Sequence, residues 1–180
     1  MPSSRSVLSA AVRCLLVGLA AFVPAALFAT SAVVGSGTPA SCTETAFDAG
    51  ITAVNSGGGT LSFDCGPEPH LILVNSERPL AGQVVVDGGG RITLSGGLAT
   101  RIFTVQDQAE VELRDIVLTH GRSSAGPGGA VLVTGAGAPA DTVLVLTRAA
   151  VRESSTGFWG GGIAAVNAEL QLRFSSVTGN

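Results

Sequence analysis

Past an apolar N-terminal run, the hydrophobic positions of the chain change period once. Phe47, Ile51 and Val54 recur at the i, i+4, i+7 spacing of one helical face; Ser41 precedes them, with Glu44 three residues on, and Ser56-Gly57-Gly58-Gly59 follows. The spacing predicts a single helix over Ser41–Asn55 opened by a Ser41/Glu44 capping box and stopped by the glycines. Beyond it the helical period is gone. Short β-rich runs alternate with Gly-rich breaks: Thr60–Phe63, Leu71–Val74, Gln83–Val86, Ile92–Leu94, Ile102–Val105, Val111–Leu113, Val131–Val133, Val143–Leu146 and Leu170–Phe174. The pattern is all-β.

Several of these runs are near-duplicates. Val111–Gly121, Leu144–Ser154 and Leu170–Asn180 align without gaps, and apolar residues share columns: Val111/Leu144/Leu170, Leu113/Leu146/Leu172 and Leu118/Val151/Val177. Between the copies, Gly128-Gly129-Ala130-Val131 and Gly160-Gly161-Gly162-Ile163 occupy equivalent places, and a Gly/Ala/Pro insertion near Gly135–Ala140 lengthens the first interval. Repeats of this length predict stacked units. In Val111-Glu112-Leu113-Arg114 and Leu170-Gln171-Leu172-Arg173 apolar and polar residues alternate, so one side of each strand faces a core and the other faces water. One unit cannot bury that side alone. If each repeat is one coil of a solenoid, equivalent strands pair in parallel and the columns become internal ladders, with Gly128, Gly129, Gly161 and Gly162 at the corners. The competing architecture is a β-sandwich, which has similar short strands but does not call for aligned repetition with Gly-Gly in a fixed column.

These elements carry a resemblance. Gly-Gly-Ala-Val, Gly-Gly-Gly-Ile and the closing Leu-x-Leu-x-x-Ser-x-Val-x-Gly-Asn resemble repeats of bacterial right-handed parallel β-helix proteins of the pectin-lyase-like superfamily, and are similar to the Gly-Gly-Ala-Ile repeats of polymorphic outer-membrane proteins. Cys42 before a helix, Gly57-Gly58-Gly59-Thr60 before a strand, Phe63-Asp64-Cys65-Gly66 and Val86-Asp87-Gly88-Gly89-Gly90 resemble the cap and first coils of large secreted surface proteins of that group. The resemblance covers Cys42 to Asn180 and implies a parallel β-helix with an N-terminal capping helix. Phe174 departs from it, standing where such repeats often carry Asn; Val143 and Val145 fall on the expected outer face, where the inserted loop could cover them.

The N-terminus adds an address. Arg5 and Arg13 precede an uncharged apolar run, Leu15 to Ala29, and small residues at Ala29, Ser31 and Ala32 permit cleavage after Ser31 or Ala32, the order of a bacterial-type signal peptide. A retained membrane anchor is the competitor, set against by the length of the run and the lack of a basic cluster after it. The chain therefore divides into a signal peptide (1–32), a linker (33–40), a cap helix with first strand (41–66) and parallel coils (67–180). Export suits a disulfide between Cys42 and Cys65, with metal ligation and lipid modification of Cys42 as weaker readings. Hydrophobic residues make up 46% and charged residues 13% of the chain, which excludes disorder driven by charge. Net charge is −3 and lysine is absent, so a nucleic-acid surface is not expected.

Candidate chemistry is thin. Arg114 and Arg173 share an outward column with Thr147 between them, and Glu112 has Val145 and Gln171 as column neighbours, so no carboxylate ladder of the kind a lyase or hydrolase needs is expected. Asp87 before three glycines reads as a turn, and His70 and His120 read as loop or strand-end residues without an acidic partner. Phe158-Trp159 is expected to pack a corner, with Trp159 as the alternative surface contact for a sugar. No catalytic, cofactor or metal residue is assigned. The expected role is that of a secreted or cell-surface module, associated with the outer membrane, adhesive or structural, presenting a flank to an extracellular glycan or a surface protein; once the signal peptide is cleaved, no stable membrane span is expected. The alternative is the N-terminal part of a carbohydrate-active enzyme whose catalytic coils lie outside this chain. The last repeat closes without a polar cap, so the chain is expected to be a fragment or to self-associate through that coil.

Overall fold

The structure, a computed structural model, describes residues 30–137 and 141–180. The expected signal peptide lies outside the described residues except for its last three positions. The strands run β1 (Thr30–Gly35), β2 (Gly59–Asp64), β3 (His70–Leu73), β4 (Arg78–Leu80), β5 (Gln83–Ser95), β6 (Phe103–Val105), β7 (Glu110–Thr119), β8 (Arg122–Ser123), β9 (Val131–Thr134), β10 (Val143–Thr147), β11 (Ala150–Arg152), β12 (Ser155–Thr156), β13 (Ile163–Val166), β14 (Glu169–Arg173) and β15 (Ser176–Thr178), with one helix, α1 (Glu44–Gly57). Among the described residues the fold is all-β apart from that helix and a short 3₁₀ turn. Every strand pairing among the described residues is parallel.

The main sheet runs β1-β2-β5-β7-β10-β14, with β3 also on β5 and β11 bridging β7 and β15; β4-β6-β9-β13 form a second sheet and β8-β12 a third. Registers follow the repeat columns. Leu144 faces Val111 and Leu170, Leu146 faces Leu113 and Leu172, and Val151 faces Leu118 and Val177. Alternation then decides burial: Val111, Leu113, Leu118, Leu144, Leu146 and Val151 are fully buried, while the odd-numbered outer residues of β10 stay half-exposed. Each such Leu or Val contributes about 1.5–3 kcal/mol by leaving water. The last copy differs, because Leu172, expected in the core, is 49% exposed with no later strand to cover it among the described residues.

The glycine columns meet as aligned. Gly128 and Gly160 both adopt φ near +70° (75° and 69°), and the Gly129 N–H bonds the carbonyls of Gly160 and Gly161. A Cβ at Gly129 would collide with the Gly161 carbonyl oxygen, which is why this corner admits only glycine. At Gly161 and Gly162, a Cβ would press on Asn180. Corners elsewhere use residues that tolerate the left-handed region less readily: Asp115, Arg148 and Phe174 stack as one column at φ 48–52°.

Two expectations about the N-terminal end are corrected. The helix is capped by Thr43, whose hydroxyl accepts from the Ala46 N–H (3.2 Å), rather than by Ser41; Ser41 belongs to a 3₁₀ turn, Pro39–Ser41, and bonds to Ser36 and Thr38. Glu44 does not close a capping box because its carboxylate is engaged by Asn75 and Arg78. The expected linker, 33–40, begins as strand: β1 pairs with all of β2, and Val34 is fully buried. Its Thr-Ser-Ala-Val-Val run is itself a strand former, adjoining the apolar leader in sequence. Gln83–Val86 and Ile92–Leu94, expected as two strands, are one 13-residue strand with its register interrupted between Asp87 and Ile92.

Helix α1 packs on β1, β2, β4 and β5 and buries Phe47, Ile51 and Val54, with Phe47 stacked on Phe63 and edge-on to Phe103. The Cys42–Cys65 disulfide is present, with both cysteines buried. Arg78, only 8% exposed, ties helix to strands through Glu44 (2.7 Å) and Asp48.

Candidate functional site

The outer face of the main sheet holds a concavity. Because side chains alternate, Val85, Glu112, Val145 and Gln171 form one outward column, and Asp87, Arg114, Thr147 and Arg173 form the next. A groove of about 760 Å³ crosses this face, floored by Val85 and Val145, rimmed by Gln83, Glu110, Glu112 and Arg173, and bounded at one end by the turn that closes α1. Gly58 makes that turn, in the left-handed region with its N–H on the Val54 carbonyl. Val143 and Val145 are half-buried; the middle of the inserted loop expected to cover them, residues 138–140, lies outside the described residues.

Charge on this face is arranged in pairs between neighbouring copies, a pairing of Arg114 that the sequence reading did not include. Asp87 stands opposite Arg114 in register and accepts from its guanidinium at 2.8 and 3.2 Å, while Arg114 also lies 3.9 Å from Glu112. The hydrogen bond that Arg114 donates to Asp87, foremost, raises the Arg114 pKa above the ordinary arginine value. A guanidinium held protonated in this way is a poor proton acceptor, the opposite of what a lyase base requires. Asp87 also accepts from the Gly89 N–H (3.0 Å), so the expected Asp-Gly-Gly-Gly turn exists and the ion pair is built onto it. At the corner, Asp115 accepts from two of the Arg148 guanidinium nitrogens at 2.6 and 2.7 Å, which lowers the Asp115 pKa and raises that of Arg148. Thr147, between Arg114 and Arg173, keeps a buried hydroxyl oxygen with no hydrogen-bond partner among the described residues.

His120, expected to lack an acidic partner, has one. Its Nε2 lies 3.4 Å from Glu153, its Nδ1 lies 3.0 Å from the Thr119 hydroxyl, and that hydroxyl also donates to Glu153 (3.1 Å). His120 and Glu153 occupy the same corner position one repeat apart, both with φ near +50° (51° and 52°). Thr119 is buried, so the cluster ties two corners together and does not present its hydroxyl for attack. His70 meets the Cys42 carbonyl at 3.3 Å beside the disulfide.

Phe158 and Trp159 do not pack a corner: they are 58% and 55% exposed on the turn after β12, whose backbone is held by the Gly128 N–H on the Trp159 carbonyl and by the Thr156 hydroxyl. The corner itself is made by glycine backbone, with the Gly129 N–H on the Gly160 and Gly161 carbonyls. Trp159 is thus a surface residue, apart from the residues lining the groove. Among the described residues no three His, Cys, Asp or Glu side chains gather as a metal site, and no helix is long and apolar enough to cross a membrane. The chain matches no family model, no curated protein and no solved structure.

Proposed function

We propose that the chain is a right-handed parallel β-helix, exported through its N-terminal signal peptide, that acts as a non-catalytic binding module with the groove on its main sheet as the contact surface. The observation that carries this reading is the register. Equivalent residues of successive repeats pair in parallel, once per repeat and across three sheets, which a sandwich of antiparallel hairpins does not do. Parallel strands joined by crossovers are right-handed in nearly all folds. The disulfide supports an oxidising destination at the cell surface or beyond.

The groove suits an extended polar chain. It crosses several strands, its valine floor offers an apolar surface for the C–H faces of sugar rings, and Gln83, Glu112 and Arg173 offer hydrogen bonds to hydroxyls. Arg114, the basic residue a polysaccharide lyase would require on this face, is neutralised by Asp87.

Incubation with uronic-acid polysaccharides, with and without Ca²⁺, tests turnover through the absorbance of unsaturated products, and a glycan array tests binding. Binding without turnover is expected, weakened at least about tenfold by Val145→Arg, which fills the groove floor; this equals ~1.4 kcal/mol. Turnover abolished by Arg114→Ala would replace this reading with a carbohydrate-active enzyme.

A further inference from the structure

A cut after Ser31 or Ala32, the positions that the small residues permit, would fall within β1. That strand is part of the folded sheet along its whole length: Thr30 pairs with Gly59, Ser31 with Thr60 and Ala32 with Leu61, and the pairing continues to Gly35. By alternation Thr30, Ala32 and Val34 point inward, with Ala32 packed on the core and Val34 fully buried. The Ser62 hydroxyl donates to the Ala32 carbonyl (3.4 Å). A cut after Ala32 would remove Thr30 and Ala32 from the inward column and leave Gly59, Thr60 and Leu61 without these partners.

The end of α1 is shaped around Thr30. The Thr30 N–H donates to the Gly58 carbonyl at 2.8 Å. A Cβ at Gly59 would run into the Thr30 carbonyl oxygen, and one at Gly57 would stand 3.1 Å from the Thr30 hydroxyl. Glycine is needed at Gly59 because the Thr30 backbone comes so close to it. The last turn of α1 carries no basic residue, although the dipole of a helix favours a cation at that end.

We infer that the exported chain is cut between Ala29 and Thr30, so that all of β1 belongs to the mature protein and Thr30 is its first residue. The inference rests on the export proposed above. A signal peptidase of the exporting cell hydrolyses this bond, water completing the carboxylate of Ala29 and the ammonium of Thr30. That ammonium keeps the hydrogen bond to the Gly58 carbonyl and brings to the end of α1 the positive charge its last turn lacks. In sequence, Ala29 closes the uncharged apolar run and is small, as the position before such a cut requires. The pairs Ala29/Ser31 and Thr30/Ala32 fit the small-x-small pattern more closely, because Leu27 stands two residues before Ala29. The pairing of β1 with β2 tells against both.

The full chain, expressed with its leader in a bacterial host and fractionated, tests the inference through intact mass and N-terminal sequencing. Chain recovered outside the cytoplasm is expected to start at Thr30. Ala29→Leu should abolish that form, whereas Ser31→Val and Ala32→Val, which place a branched residue before either alternative cut, should leave it unchanged. A mature chain that starts at Ala32 or Val33, a Thr30 terminus that Ala29→Leu does not remove, or uncleaved chain held at the membrane overturns the inference and leaves export standing. Uncleaved chain confined to the cytoplasm overturns both.

Discussion

At one end of the molecule the apolar ladders run into a helix that carries Phe47, Ile51 and Val54 down onto Val34 and Leu61, with a disulfide and the buried Arg78 holding the helix in place. At the other end the same ladders reach Leu172 and Val177, which are 49% and 38% exposed. The residues in these columns are alike; what differs is the neighbour. Leu146 is fully buried because strands flank it on both sides, whereas Leu172 has β10 alone. The stabilising power of a leucine in such a column is therefore a property of how many strands flank it.

The comparison can be broken most directly with two alanines at equivalent positions. Leu146→Ala should cost about 2–5 kcal/mol in urea unfolding, the penalty for a cavity in a closed core, while Leu172→Ala should cost about 1 kcal/mol or less. Equal losses would show that the two positions are equally packed. The capped end is next. Cys65→Ala opens a loop of 23 residues and should remove about 3 kcal/mol, seen as a lower melting temperature that reductant no longer changes. Unchanged melting would remove the bridge from the account of the cap.

A smaller effect sharpens the picture at the helix itself. The Asn75 N–H, first, and then the Asn75 amide and Arg78, hold the Glu44 carboxyl below its ordinary value of 4.5, against the opposing pull of burial. A depressed carboxylate pKa contributes stability that is present above the unfolded value and lost as pH falls through the folded one. Glu44→Gln should therefore be about 1 kcal/mol less stable than the wild type at neutral pH, and the gap should close below pH 4.5. A gap that persists unchanged in acid would assign the loss to packing instead of charge.

Much of the strand framework was legible in the sequence, because a period-two alternation repeated in aligned copies specifies both which residues point inward and which ones meet. The columns Val111/Leu144/Leu170, Leu113/Leu146/Leu172 and Leu118/Val151/Val177 are all realised as pairings. The outer-face chemistry was less legible. Asp87 belongs to the Arg114 column, but Gly88-Gly89-Gly90 interrupts the register just after it and hides the earlier copy from a gapless alignment. Glu153 was available as the partner of His120, since both follow the same strand column by one residue, and reading the alignment for opposite charges would have found it. Strands of two or three residues such as β8, β12 and β15 carry too few positions for any period, and exist because a neighbouring copy templates them. The Thr43 cap was missed because Ser41 also fits the cap pattern, and only the contacts of Glu44 choose between them.

The Gly135–Ala140 insertion has a consequence for how such a chain can change. Successive copies are offset by 33 residues at Gly121 and Ser154 but by 26 at Ser154 and Asn180, and the same ladders form across both intervals. Most of the surplus falls in sequence between β9 and β10, where no register is counted. A single residue added inside a strand would turn that strand inside out. Extra residues at this bend leave the pairing on either side in register, so the chain tolerates a change of length here that no strand would.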